Sequence, residues 1–204
     1  MNKVYDKIVS IEGGIGSGKT ILTKKIATEI GINCILEEYE KNPFLSGFYE
    51  KTGVDFENEL AFLLLHYNQL HLKTKQTTDK LLLADFSIEK DIVFAKESLQ
   101  GRELEIFEMV YNYAISQVGL PELTIFLDVS SDRVWKQVNQ RGRDYEINAG
   151  RNFLERYNNR LKDHFLHADK SRVMYLHAEE LSLESGNSIL KRIKDRILPV
   201  SGND

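Results

Sequence analysis

Residues Gly13-Gly14-Ile15-Gly16-Ser17-Gly18-Lys19-Thr20 fit G-x-x-x-x-G-K-[ST], and each residue type has a task if the ligand is a nucleoside triphosphate. Glycines let the backbone wrap a phosphate chain with several N–H groups pointing inward. A helix beginning at Lys19 adds positive potential at its start. The Lys19 ammonium reaches the outer phosphates, and the Thr20 hydroxyl is a ligand for Mg²⁺. The dinucleotide pattern G-x-G-x-x-G fails, because after Gly14 and Gly16 its third glycine falls on Lys19. A nicotinamide enzyme is therefore disfavoured.

Phosphoryl transfer needs more than this loop: a group for the acceptor hydroxyl, an acceptor pocket, and cations for the charge on the transferring oxygens. Glu37 ends a β-prone run, in the crevice where open α/β sheets bind ligands, with Glu38 and Glu40 as nearby competitors. Asp85 ends the apolar run Leu81-Leu82-Leu83-Ala84. It reads either as an outer-shell Mg²⁺ ligand working with Thr20 or as a helix N-cap. Arg141-Gly142-Arg143 separates an amphipathic stretch from Asp144-Tyr145-Glu146 and reads as a mobile lid, since planar guanidinium groups suit phosphate oxygens.

These residues must be carried by a sheet and helices. β-prone runs cover Lys7 to Glu12, Asn33 to Glu38, Leu81 to Phe86, Leu123 to Val129 and Val173 to His177. Helical patterns over Lys19 to Ile30, Asp55 to Gln76, Leu104 to Val118, Asp132 to Gln140 and Phe153 to Ala168 separate them. The alternation predicts a five-stranded parallel sheet wrapped by helices. With 204 residues, three prolines and no linker or repeat, residues 1–204 are expected to form one domain. A net charge of −4 gives no electrostatic reason for binding along a nucleic-acid polymer. The single cysteine, Cys34, excludes an intrachain disulfide and a cysteine metal cluster. With no targeting segment or membrane-length apolar run, the expectation is a soluble cytoplasmic protein. Residues 192–204 read as a polar helix end and tail.

Four ordered motifs then carry a resemblance. The chain resembles the deoxynucleoside kinases, specifically the bacterial deoxyguanosine and deoxyadenosine kinase branch. The motifs are the phosphate loop; Glu37 to Tyr49, which fits E-x-x-x-x-N-P-[FY]-[FL]-x-x-[FY]-Y; Ala84-Asp85-Phe86-Ser87-Ile88 with Asp91 and Phe94-Ala95; and Arg141-Gly142-Arg143. The resemblance implies a P-loop kinase fold with an arginine-containing lid. It also implies transfer of the ATP γ-phosphoryl to the 5′-hydroxyl of a purine 2′-deoxynucleoside, in nucleotide salvage. By the same carry-over Glu37 is the general base, Lys19, Arg141 and Arg143 stabilise the phosphoryl group, and Thr20 and Asp85 serve Mg²⁺. Tyr49 and Glu146 hold the 3′-hydroxyl, with Tyr49 leaving little room for a 2′-hydroxyl, while Glu59, His66 and Asp91 line the base edge. Phe44, Phe48, Phe62 and Phe86 are candidates for stacking on the base.

The sequence departs from the family at three of these places. Much of the family has Arg where Phe86 stands, so a cation beside Glu37 is expected to be missing; His66 and Gln137 likewise replace arginines. An ionised Glu59 only accepts hydrogen bonds, which favours the donor edge of guanine slightly over adenine. The helical stretches Asp55 to Gln76 and Leu104 to Val118 are apolar on more than one face, which an internal core or a homodimeric helix bundle would explain. A thymidylate kinase-like monophosphate kinase and a non-catalytic ATP-binding module are the competing readings. Phe86 counts against the first and Glu37 against the second.

Overall fold

Strand β1 (Ile8–Gly13) is buried along its whole length, and its alternation divides the interior in two. Val9 and Ile11 face one core with Leu22 and Ile26 of helix α1 (Lys19–Ile30). Ile8 faces the other, shared with α3 (Asp55–Gln76), α4 (Glu89–Ser98) and α5 (Gly101–Val118). A strand covered on both faces belongs in a parallel sheet. The computed structural model describes residues 8–76, 81–179 and 190–197. Its five parallel strands run in the order β2 (Cys34–Ile35), β3 (Leu82–Ala84), β1, β4 (Leu123–Asp128), β5 (Val173–His177). Connections leave β1 first to one side and then to the other. Their carboxyl ends therefore open the crevice in which α/β sheets bind ligands.

The remaining helices are α2 (Leu45–Tyr49), α6 (Ser131–Arg141), α7 (Asp144–Ala149) and α8 (Arg151–His167). In α8, Leu154, Tyr157, Leu161 and Phe165 recur at three and four residues and form the buried stripe. No described helix is long and apolar enough to cross a membrane.

Several elements differ from the sequence reading, α2 and α7 among those not expected. β2 ends at Ile35 rather than Glu38 because side chains take over the ladder: Leu36 O accepts from Gln69 Nε2 at 2.8 Å, and Glu37 N donates to Asp85 Oδ1 at 2.6 Å. Helix α4 was not expected, since its first turn buries Glu89, Lys90 and Asp91 and so breaks any apolar periodicity. Residues 190–197 are helical and put Leu190, Ile193 and Ile197 into the α1-side core, so this stretch is not merely a polar end. Lys7 and residues 198–204 lie outside the described residues.

Candidate active site

The phosphate loop leaves β1 and enters α1 through Gly16 and Gly18 at φ 82° and 87°, left-handed values that a Cβ would strain. Asn158 of α8 clamps its crest: Oδ1 accepts from Ile15 N at 2.7 Å and Nδ2 donates to Ile15 O at 3.1 Å. A Cβ on Gly14 would lie 2.4 Å from Asn158 Cγ, so the glycine is what lets this clamp approach. At the loop's far end Thr20 Oγ1 donates to Asp85 Oδ2 at 2.5 Å. Both Asp85 oxygens are thereby used, one on Thr20 and one on Glu37 N. Ile88 rather than Asp85 precedes α4, which removes the N-cap reading.

Glu37 hangs from this junction, and its carboxylate is held from two helices. Lys90 Nζ of α4 donates to Oε1 at 2.5 Å, and His66 Nε2 of α3 lies 3.0 Å from the same oxygen. His66 Nδ1 meets Asp91 Oδ1 and Oδ2 at 2.8 and 2.9 Å. Burial alone would raise the Glu37 pKa, but the Lys90 charge and the His66 hydrogen bond hold it well below the usual carboxylate range. The cation expected to be missing with Phe86 is thus supplied from elsewhere. Phe86 is fully buried and stacks on His66 with ring centroids 4.5 Å apart. Neither ring is among the residues lining the cleft, and both stand behind its wall.

Across the cleft Arg141 and Arg143 both pair with Glu146, Arg143 through Nη1 at 3.1 Å to Oε1. Arg143 also stacks over the Tyr39 ring at 4.0 Å and donates to its hydroxyl. Gly142, at φ 70°, ends α6 between the two arginines. Tyr49 is buried beside Tyr145 at a centroid distance of 5.1 Å. Glu59 is buried at the far end of the cleft and lies within 3.4 Å of Asn58 Nδ2.

One cleft of about 880 Å³ gathers Lys19, Thr20, Glu37, Tyr49, Glu59, Lys90, Asp91, Arg141, Arg143 and Glu146. Of the aromatic candidates, Phe48 and Phe62 line it and Phe44 does not, while Phe94 and Tyr157 line it without having been anticipated. Asn158 was also missed, because its partner is a backbone 143 residues away. Lys90 was missed for want of a recognised α4. A family profile for deoxynucleoside kinases matches residues 9–198.

The chain belongs to the deoxynucleoside kinase family.

Kinase relatives agree. The chain is 30% identical over 154 residues to a deoxyguanosine kinase of Bacillus subtilis, covering 72% of each. It is 25% identical over 206 residues to a deoxyadenosine/deoxycytidine kinase of the same organism, covering 96% of this chain and 93% of the relative. The fold matches that of a deoxyadenosine kinase from M. mycoides with bound dCTP, at a TM-score of 0.77 and 19% identity over 94% of this chain and 99% of that one. This chain is accordingly a nucleoside-phosphorylating enzyme that uses a nucleotide phosphoryl donor.

Three buried groups of this deoxynucleoside kinase give its stability a common pH dependence. Burial, and then the Asp91 charge, push Glu59 up to about 8; burial pushes Glu12 up to about 7 against Lys90 and Lys19. Between the unperturbed value near 4.5 and these values the folded chain holds protons that the unfolded chain has released, so stability falls as pH rises. His66 is lifted to about 9: burial opposes its charge, but Asp91 and Glu37 outweigh it. Its contribution is complete below about 6.5 and is lost towards 9. The melting temperature is therefore expected to decline from mildly acidic pH to pH 9. Glu59→Gln should flatten the profile, melting higher than the parent at pH 8.5 and close to it at pH 5. Parallel profiles would remove Glu59 from this account.

Proposed function

We propose that the chain transfers the γ-phosphoryl of Mg·ATP to the 5′-hydroxyl of a purine 2′-deoxynucleoside, in nucleotide salvage. The observation that carries this reading is the opening of the Glu37 carboxylate onto the same cleft as Lys19 and Thr20 on one side and Tyr49 and Glu146 on the other. In a loose transition state the base chiefly orients the hydroxyl and takes its proton late. Glu37, kept ionised by Lys90 and His66, suits that task. Lys19 and the loop N–H groups hold the donor phosphates, and Arg141 and Arg143 cover the charge on the equatorial oxygens. They must first exchange Glu146 for phosphate, which is the movement of a lid.

The oxygen donors of Thr20 and Asp85 fit a hard cation that keeps most of its waters and phosphate ligands, and no group of three acidic, His or Cys side chains among the described residues forms a metal cage. Thr20 and the Asp85 behind it would hold Mg²⁺, which would supply charge neutralisation to the donor phosphates. Tyr49 and Glu146 receive the sugar, and the buried tyrosine ring leaves little room for a 2′-hydroxyl. At the base edge a protonated Glu59 offers one donor and one acceptor. That pair suits adenine N1 and N6-H₂ as well as guanine O6 and N1-H, so the weak preference for guanine loses its support.

Product formation with Mg·ATP and the four 2′-deoxynucleosides tests the proposal, with guanosine, adenosine and thymidine monophosphate as controls. Monophosphate from deoxyguanosine or deoxyadenosine is expected. Turnover of thymidine monophosphate alone would assign a monophosphate kinase, and ATP binding without turnover a regulatory module.

The same reading includes a homodimer. On α3 Leu64 and Leu72, and on α5 Ile106, Met109 and Tyr113, are exposed apolar side chains, with Met109 68% exposed. Two adjacent helices that already pack on the sheet and still present such a face suit an isologous bundle with a second copy. Sedimentation should give twice the 23.5 kDa chain mass, and Met109→Asp should shift the population towards monomer. A parent that sediments as monomer at micromolar concentration would remove the dimer.

A further inference from the structure

We infer that Lys90 is a positioning residue that fixes Glu37 relative to the phosphate loop; this rests on reading Glu37 as the base. Lys90 is buried, on the first turn of α4, and that turn is tied to the strand that delivers the loop. Lys90 N donates to Ser87 O at 3.1 Å, Ser87 N to Glu12 Oε1 at 2.5 Å, and Gly13 N to Glu12 Oε2 at 3.1 Å. Glu12 is fully buried and bridges the loop's first residue to the turn that carries Lys90. From there the ammonium reaches across to Glu37 Oε1.

The geometry constrains the carboxylate as well as neutralising it. Among the described residues both cationic partners meet Oε1, so Oε2 is the oxygen without a cationic partner and the one assigned to the acceptor hydroxyl. The Glu37 main chain is pinned separately, through its N–H on Asp85. Position 86 holds a buried ring stacked on His66 rather than a cation, and of the two ammonium groups in the cleft Lys90, not Lys19, is the one hydrogen-bonded to Glu37. Misplacing a reacting group by about 1 Å costs on the order of 10²-fold in rate, which sets the expected scale.

Steady-state kinetics of the full chain tests this. Lys90→Met is expected to lower kcat by about 10²-fold with KM for ATP and nucleoside held within about threefold, and Lys90→Arg to recover at least about tenfold of it. The double variant Lys90→Met/Glu37→Gln should be no slower than Glu37→Gln alone. A kcat within about threefold of the parent, a loss confined to KM, or multiplicative losses in the double variant would each overturn the role. If Lys90→Met does not fold by thermal melt, Lys90→Gln and Lys90→Arg give the same comparison. Parent-like turnover by Glu37→Gln itself would instead remove the base reading on which the inference stands.

Discussion

Glu37→Gln is expected to lower kcat by about 10²–10⁴-fold while ATP binds as in the parent, the span that general-base groups contribute. The exchange keeps shape and removes the carboxylate charge, and with it the capacity to take a proton. Among the described residues the Glu37 side chain is hydrogen-bonded to Lys90 and His66 and to no residue of the phosphate loop. Removing the carboxylate charge takes an anion away from Lys19, so nucleotide affinity is not expected to fall. An amide also leaves the Lys90 ammonium buried against a neutral partner, with the Glu12 and Asp91 charges still near it. Some loss of stability should accompany the loss of rate. Rapid-quench product formation and calorimetric ATP binding separate the two. If kcat fell less than about tenfold, Glu38 or Glu40 would have to be reconsidered, although Glu38 pairs outward with Lys41 at 2.7 Å.

The second large effect is expected for the pair Arg141→Ala/Arg143→Ala, about 10³-fold or more in kcat, in line with the worth of arginines at a transferring phosphoryl group. A second readout comes from Glu146, which is 3% exposed and pairs with both guanidinium groups. With both removed, a buried carboxylate loses its cations, so KM for the nucleoside should rise and the melting temperature should fall. Arg143→Ala alone should cost less, because Arg141 still pairs with Glu146, and it also frees Tyr39 from its stacked guanidinium. Unchanged kcat in the double variant would mean that these arginines serve only to hold Glu146.

The phosphate loop, the parallel sheet, the placing of Glu37 and the two arginines around one crevice and that of Asp85 beside the loop were all legible in the sequence. Local chemistry explains why. A phosphate cradle needs consecutive N–H groups and glycine conformations, which are contiguous in sequence. Strands covered on both faces read as apolar runs. Glu37 and Asp85 follow such runs directly, so strand ends place them.

Other features depended on partners far apart in the chain. That His66 stands behind the wall, bridging Glu37 and Asp91, depends on contacts across 29 and 25 residues. The cation beside Glu37 came from a helix whose buried charges conceal it from any periodicity argument. The proton on Glu59 likewise follows from burial beside Asp91, which a residue type does not report. The sequence by itself determined the sheet, the loop and those lining groups that sit in the loop or at strand ends, because backbone conformation and strand ends are local. Tertiary structure alone decided which of those groups touch and which carry charge, because desolvation and pairing depend on neighbours that only the packed chain brings together.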